Sequence, residues 1–176
     1  MQTFSRLMLF ALIAIAVTGL CSRRARAADS CQPVFDALTK LVTTPSHSYT
    51  TSTPVKSGKA RSAETIMTHG KKYIRVNGKW MDPSVTTAEV LEQERENEKS
   101  GKSTCQLLRS EAVNGVPAVV YSLSRQTAGF KEDALIWISK STAMPLREEQ
   151  DVDMGGEIGK AHNSARFEYG NVLPPM

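Results

Sequence analysis

Histidine and cysteine are scarce in this 176-residue chain, and each scarcity excludes a kind of chemistry. The three histidines, His47, His69 and His162, lie far apart, and no two stand at the spacing of zinc ligands. The three cysteines, Cys21, Cys31 and Cys105, include no Cys-x-x-Cys pair, which argues against a redox function. Catalytic signatures are missing too. Ser-Gly-Lys recurs at 57–59 and 100–102 without the strand-turn-helix context of a nucleophile. The glycines of Asp153–Gly159 follow no phosphate-loop spacing. No enzyme, metal site or cofactor is expected.

An excess of positive charge is absent from the body of the chain. Residues 1–27 begin with a basic residue, Arg6, continue through an apolar run from Leu7 to Val17, and end in Ala25-Arg26-Ala27. That order is the one of a cleaved export signal. Its apolar run is short for a membrane span, and nothing later in the chain offers a longer one. Lipidation at Cys21 is the alternative, disfavoured by the bulky Leu20 before it. Four of the 22 basic residues (Arg6, Arg23, Arg24, Arg26) belong to this segment, leaving 18 basic residues against 18 acidic ones. The remainder is neutral, so the basic precursor pI is no footprint for nucleic acid. Residues 28–176 are expected as one periplasmic domain, or a secreted one if the host has no outer membrane, with no transmembrane anchor. Export also makes Cys31 and Cys105 an even pair in an oxidising compartment, and a disulfide between them is expected.

The pattern of residues 28–176 is α+β. Ser30 can cap a first helix whose Val34, Phe35, Leu38, Leu41 and Val42 recur with a period near 3.6, ending before Pro45. Three strands rich in Thr, Tyr, Ile and Val should follow between Ser46 and Trp80, with a turn pair at Asn77-Gly78. Thr86-x-x-Glu89 is a capping-box spacing and opens a second helix. Ala88, Val90 and Leu91 are its only apolar residues, so its charged remainder is read as a solvated face. About five further strands should run to the C-terminus, the first two joined at Asn114-Gly115. Consecutive hairpins give a curved antiparallel sheet of about eight strands, and two striped helices give it a cover on one face.

One strand poses a puzzle. Ala134–Lys140 carries Leu135 and Trp137 on one face and Ile136 and Ile138 on the other, yet its partner after Pro145 is almost wholly charged. In that partner Leu146, Val152 and Met154 are expected to point inward, and Arg147, Glu148 and Glu149 outward or near an edge.

The stretches "VNGVPAVVYSL" (Val113–Leu123), "ALIWISKSTAMPLREE" (Ala134–Glu149) and "RFEYGNV" followed by Pro174 resemble the LolA-like group of outer-membrane lipoprotein carriers and periplasmic lipid-binding and sensor proteins. The resemblance covers residues 105–176 well and the first half by element order. It implies an incomplete half-barrel whose open, concave side is covered by the helices, with a cavity for an acyl chain between them. The region after residue 27 is short for such a carrier, which implies fewer strands or a smaller cavity. Carriers place a buried basic residue beside the acylated cysteine. Arg75 and Arg109 are the candidates here, and lipoprotein transport itself is not carried over.

Two functions of different kinds follow as expectations. One is a non-catalytic binding protein for a hydrophobic small molecule, acyl chain or lipoprotein moiety, with Val119, Tyr121, Leu123, Leu135, Ile136, Trp137 and Ile138 as candidate cavity residues. The other is an envelope interaction module with a filled core and a protein partner. Met67, Met81, Met144 and Met154 suit either adaptable lining or plain filler, and Trp80 and Trp137 either a cavity mouth or helix anchors. An apolar cavity above about 300 Å³ favours the first function, a close-packed interior the second.

Overall fold

The structure, a computed structural model, describes residues 31–127, 129–156 and 159–175. The export signal, the Cys21 alternative and the Ser30 cap all lie outside the described residues. The order of elements is α1 (Gln32–Thr43), β1 (Ser46–Pro54), β2 (Arg61–Thr68), β3 (Lys71–Val76), β4 (Lys79–Thr86), α2 (Thr87–Ser100), β5 (Lys102–Val113), β6 (Val116–Thr127), β7 (Phe130–Ser139), β8 (Pro145–Asp153) and β9 (Lys160–Tyr169). The nine strands form one antiparallel sheet in the order β4-β3-β2-β1-β9-β8-β7-β6-β5. It is curved and open, with β4 and β5 at its edges, and both helices lie on its concave face. Two meanders joined through α2 thus meet side by side at β1 and β9.

The count is nine strands rather than about eight because Asn77-Gly78 splits off β4 as a strand of its own. Three hairpins share one local cause. His69-Gly70, Asn77-Gly78 and Asn114-Gly115 each place two successive residues at positive φ, from 50° to 81°. That geometry matches the twist of two antiparallel strands, and glycine at the second position adopts it without steric cost.

The helix ends are equally local. In α2 the Thr86 side chain accepts a hydrogen bond from the Glu89 amide (3.2 Å), and the Glu89 carboxylate accepts one from the Thr86 amide (2.7 Å). The Thr86 amide, and after it the Thr86 hydroxyl (2.9 Å), donate to the Glu89 carboxyl and hold it below its ordinary range. Helix α1 has Cys31 at its cap position with no side-chain cap. Its N-terminus is fastened covalently instead, by the Cys31–Cys105 disulfide to β5, with Cα atoms 5.0 Å apart. Its C-cap residue, Thr44, is extended, as a residue before proline should be.

The core has two parts, one on each face of the sheet. On the concave face Val34 and Ala37 of α1 pack on Cys105, Leu123, Ala134, Ile136 and Ile138, and Val119 and Tyr121 flank them. Ala118, Val120 and Trp137 form the second part on the convex face, with Leu135 and Leu146 against them. This answers the puzzle of the doubly apolar strand: β7 has a core on each side.

Charge on the convex face is arranged as well. Trp137, Arg147, Arg166, Tyr49, Glu64, Arg75 and Trp80 are successive cross-strand partners along a single row from β7 to β4. The Arg147 guanidinium lies 4.7 Å from the Trp137 ring centre, and that of Arg166 lies 3.7 Å from Tyr49. The Trp137 indole N–H donates to Glu111. Guanidinium stacking covers aromatic faces that would otherwise meet water while leaving the charge solvated. Both tryptophans therefore serve the convex row, and neither anchors a helix or lines a mouth on the helix side.

Strand β8 corrects the expected phasing. Its register with β7 shifts between Trp137 and Ile138, so Leu146 is an extra residue at a bulge. Leu146 and Arg147 both end up on the convex side, packed on Trp137. Of the three residues expected inward only Val152 is buried there, and Met154 is exposed. Glu148, expected outward, instead turns to the concave side.

Candidate functional site

Helix α1 lies like a bar across the concave face and leaves a hollow on either side. The outer one is a cleft of about 620 Å³, open to solvent, with Val119, Tyr121 and Ile138 on its sheet side. Pro33, Asp36 and Lys40 of α1 and Lys140 and Ala143 of the β7–β8 turn line its rim. The Lys40 ammonium donates to the Thr142 carbonyl (3.2 Å), tying the helix to that turn.

The inner hollow is a cavity of about 260 Å³ between both helices and the sheet. Leu38, Leu41 and Val42 of α1, Val90 of α2 and Met67 of β2 form an apolar wall. The facing floor is polar: Arg125, Glu132, Glu148 and Gln150, joined by Glu94 from α2 and Lys72 from β3. It is thus neither the large apolar chamber nor the filled core that the sequence offered as alternatives.

The floor is a built network. Arg125 Nε and Nη2 donate to Glu132 Oε2 at 2.9 and 2.6 Å, and Nη1 donates to Glu94 at 3.4 Å. Glu132, 1% exposed, accepts a third bond at Oε1 from Gln150 (2.7 Å). Asn163 donates to Gln150 in turn (3.0 Å). Burial alone would lower the Arg125 pKa, but Glu132 and then Glu94 hold it above its ordinary value. Every member reaches the floor by simple periodicity. Arg125 and Glu132 are cross-strand partners that continue the inward faces Val119-Tyr121-Leu123 and Ala134-Ile136-Ile138 by one step of two. Glu94 follows Val90 by one helical turn, so one residue of the charged stretch of α2 faces inward after all.

Glu148 differs from its neighbours. Among the described residues its carboxyl has no hydrogen-bond partner, although it lines the cavity. Its accessible surface is intermediate because it faces the hollow, yet it sits deep in the protein. Burial, the charge of Glu132 and that of Glu94, opposed by Arg125, push its carboxyl up to about 7. An unfolded glutamate titrates at about 4.3. Below that value Glu148 is neutral in both states and costs nothing. As pH rises towards 7 the unfolded chain releases its proton first, so folding stability is lost across that window and stays lost above it. Glu148→Gln should therefore gain up to about 3–4 kcal/mol at slightly alkaline pH and almost nothing at about pH 4. Urea unfolding of both proteins at the two pH values checks this; an equal effect at both rejects it.

The seven residues proposed from sequence are dispersed by the fold. Val119, Tyr121 and Ile138 floor the outer cleft. Leu123 and Ile136, 1% and 0% exposed, are closed inside the concave core. Leu135 and Trp137 belong to the convex face and are not on the helix side at all. None of the seven lines the inner cavity. Of the four methionines singled out only Met67 does, whereas Met81 and Met154 are exposed. The basic residues singled out are misplaced too: Arg75 pairs with Glu64 (3.0 Å) and Arg109 with Glu111 (2.6 Å), both with side chains at least 40% exposed. The buried arginine is Arg125. Among the described residues no group of His, Cys, Asp and Glu is arranged to hold a metal ion, and no helix is long and apolar enough to cross a membrane.

No protein-family model matches the chain, and no curated protein matches it. Among solved structures it is similar to MucB in complex with MucA(peri), at 14% identity over 83% of this chain and 57% of that one, with a TM-score of 0.41. The MucA/MucB complex of Pseudomonas aeruginosa gives 13% identity, 80% and 56% coverage and a TM-score of 0.40. A DUF1329 family protein from Desulfovibrio piger gives 10%, 82% and 94%, with a TM-score of 0.29. The chain spans just over half the length of the MucB chains it matches.

Proposed function

We propose that this protein is an exported, non-catalytic binding module that holds an apolar moiety, such as an acyl chain or other lipid group, in the cleft beneath α1. The observation that carries this reading is the cleft itself. Its volume of about 620 Å³ falls inside the usual range of small-molecule sites, and its floor is made by Val119, Tyr121 and Ile138. Asp36, Lys40 and Lys140 at the rim leave a polar edge that suits a ligand with one wet end. Export to the periplasm is supported by the charged, apolar and small-residue order of residues 1–27.

Titration with the neutral fluorophore N-phenyl-1-naphthylamine tests the proposal. Binding with a Kd of about micromolar order is expected. Val119→Trp, which fills the cleft from its floor, should abolish it while leaving thermal unfolding close to that of the parent. A parent that binds no apolar probe, or a Val119→Trp variant that binds as well as the parent, would discard the proposal. The same chain would then be read as an envelope interaction module with a protein partner.

A further inference from the structure

The inner cavity is a second site, separate from the cleft, and its chemistry points to a different ligand. Its apolar wall is small: Leu38, Leu41, Val42, Val90 and Met67 enclose, with the floor, only about 260 Å³. A long acyl chain does not fit there, but a short alkyl group does.

The floor decides the charge of that ligand. Arg125 is the obvious anchor for an anion, but each nitrogen of its guanidinium already donates to a carboxylate, Nε and Nη2 to Glu132 and Nη1 to Glu94. Glu132 is occupied as well, accepting at both oxygens from Arg125 and Gln150. Glu148 alone presents a carboxyl to the cavity with no hydrogen-bond partner among the described residues. Three carboxylates (Glu94, Glu132, Glu148) face the hollow against two cations (Arg125, Lys72), leaving one negative charge in surplus when Glu148 is ionised. A carboxylate or phosphate head group would be repelled by that surplus. A neutral one would leave the charge of the part-buried Glu148 carboxylate without a counter-charge, which is costly. An ammonium group would supply the missing donor and cancel the surplus.

We propose that the inner cavity binds a short amphiphilic amine, its ammonium hydrogen-bonded to Glu148 and its alkyl part against the wall formed by α1, α2 and Met67. The ionisation state of Glu148 then gates the site. Glu132 of β7, Glu94 of α2, Arg125 of β6 and Lys72 of β3 are the charged groups around it, and Gln150 is its polar neighbour on β8.

Calorimetric titration with hexylammonium, hexanol and hexanoate, matched in chain length, tests this. At slightly alkaline pH hexylammonium should bind about tenfold or more tightly than hexanol, and hexanoate most weakly. Glu148→Gln, of the same shape, should lose about tenfold for the amine and little for the alcohol. Lowering the pH by about two units below that should weaken amine binding several-fold in the parent and not in the variant, because only the parent protonates at this position. Tyr121→Ala, in the outer cleft, should leave amine binding unchanged while weakening the naphthylamine probe. Hexanol binding as tightly as the amine, or Glu148→Gln leaving amine affinity intact, overturns the proposal. Either result can occur with the outer cleft still binding its probe, so the two sites fail independently.

Discussion

Arg125→Met is expected to cost about 3–5 kcal/mol of folding stability. The side chain is 10% exposed and its partner Glu132 only 2%, so the substitution leaves a carboxylate buried without its counter-charge. Gln150 still donates to Glu132, but one amide hydrogen bond does not replace a guanidinium bonded through two nitrogens. Glu132→Leu added to Arg125→Met removes the orphaned charge, and the double variant should recover much of the loss. Glu94 contributes less to this pair, since its contact at 3.4 Å is long and its side chain is 37% exposed. Denaturant unfolding of the two variants beside Glu132→Leu gives the coupling directly. A loss below about 1 kcal/mol for Arg125→Met alone would mean that water already compensates Glu132, and that the pair is not sealed from solvent.

Replacing both Cys31 and Cys105 by serine should cost about 4 kcal/mol, and the damage should be concentrated in α1. The bridge closes a separation of 74 residues, which in the chain-entropy treatment restricts the unfolded state strongly. Position matters as much as loop length. Helix α1 is 12 residues long and has no side-chain cap at its start, too short to persist without tertiary support. Its docking rests on Val34, Ala37 and Val42, and the disulfide holds the end where the cap is missing. Without the bridge, α1 should open at lower free energy than the sheet, merging the outer cleft and the inner cavity. Hydrogen exchange would then show faster exchange for α1 amides than for those of β6 and β7. Equal loss of protection in helix and sheet would show instead that the bridge acts on the whole domain alike.

The candidate site was only partly legible from sequence, for two physical reasons. Alternation in β6 and β7 was visible, and it brought Val119, Tyr121 and Ile138 to the cleft floor. The same alternation extends to Arg125 and Glu132, which stand in phase with the apolar residues before and after them. A charged residue in phase with a buried face on each of two neighbouring strands is the signal that marks a buried pair. It is masked because charge by itself suggests solvent. Glu148 gave the same signal, standing two and four residues from Leu146 and Val152 on the face expected inward, and its charge again suggested solvent. The second reason is the bulge: one extra residue turns Leu146 itself to the convex side, and nothing in the local sequence distinguishes a bulge there from regular pairing.

What the sequence by itself determined are the features whose causes lie within a few residues. Two Asn-Gly pairs and one His-Gly pair stand between alternating stretches and take positive φ there, so three hairpins were set by their turns. Thr86 and Glu89 make a cap from groups three residues apart, and Pro45 stops α1 by steric exclusion of its neighbour. Tertiary structure alone decided which face of β7 meets the helices, and it chose Ile136 and Ile138, because both faces are equally apolar and only the position of α1 separates them. It also decided that Glu94, Arg125, Glu132 and Glu148 share one floor. They come from a helix and three strands, each placing a single charged group there, and the charge surplus of the cavity exists only in their sum with Lys72 of β3.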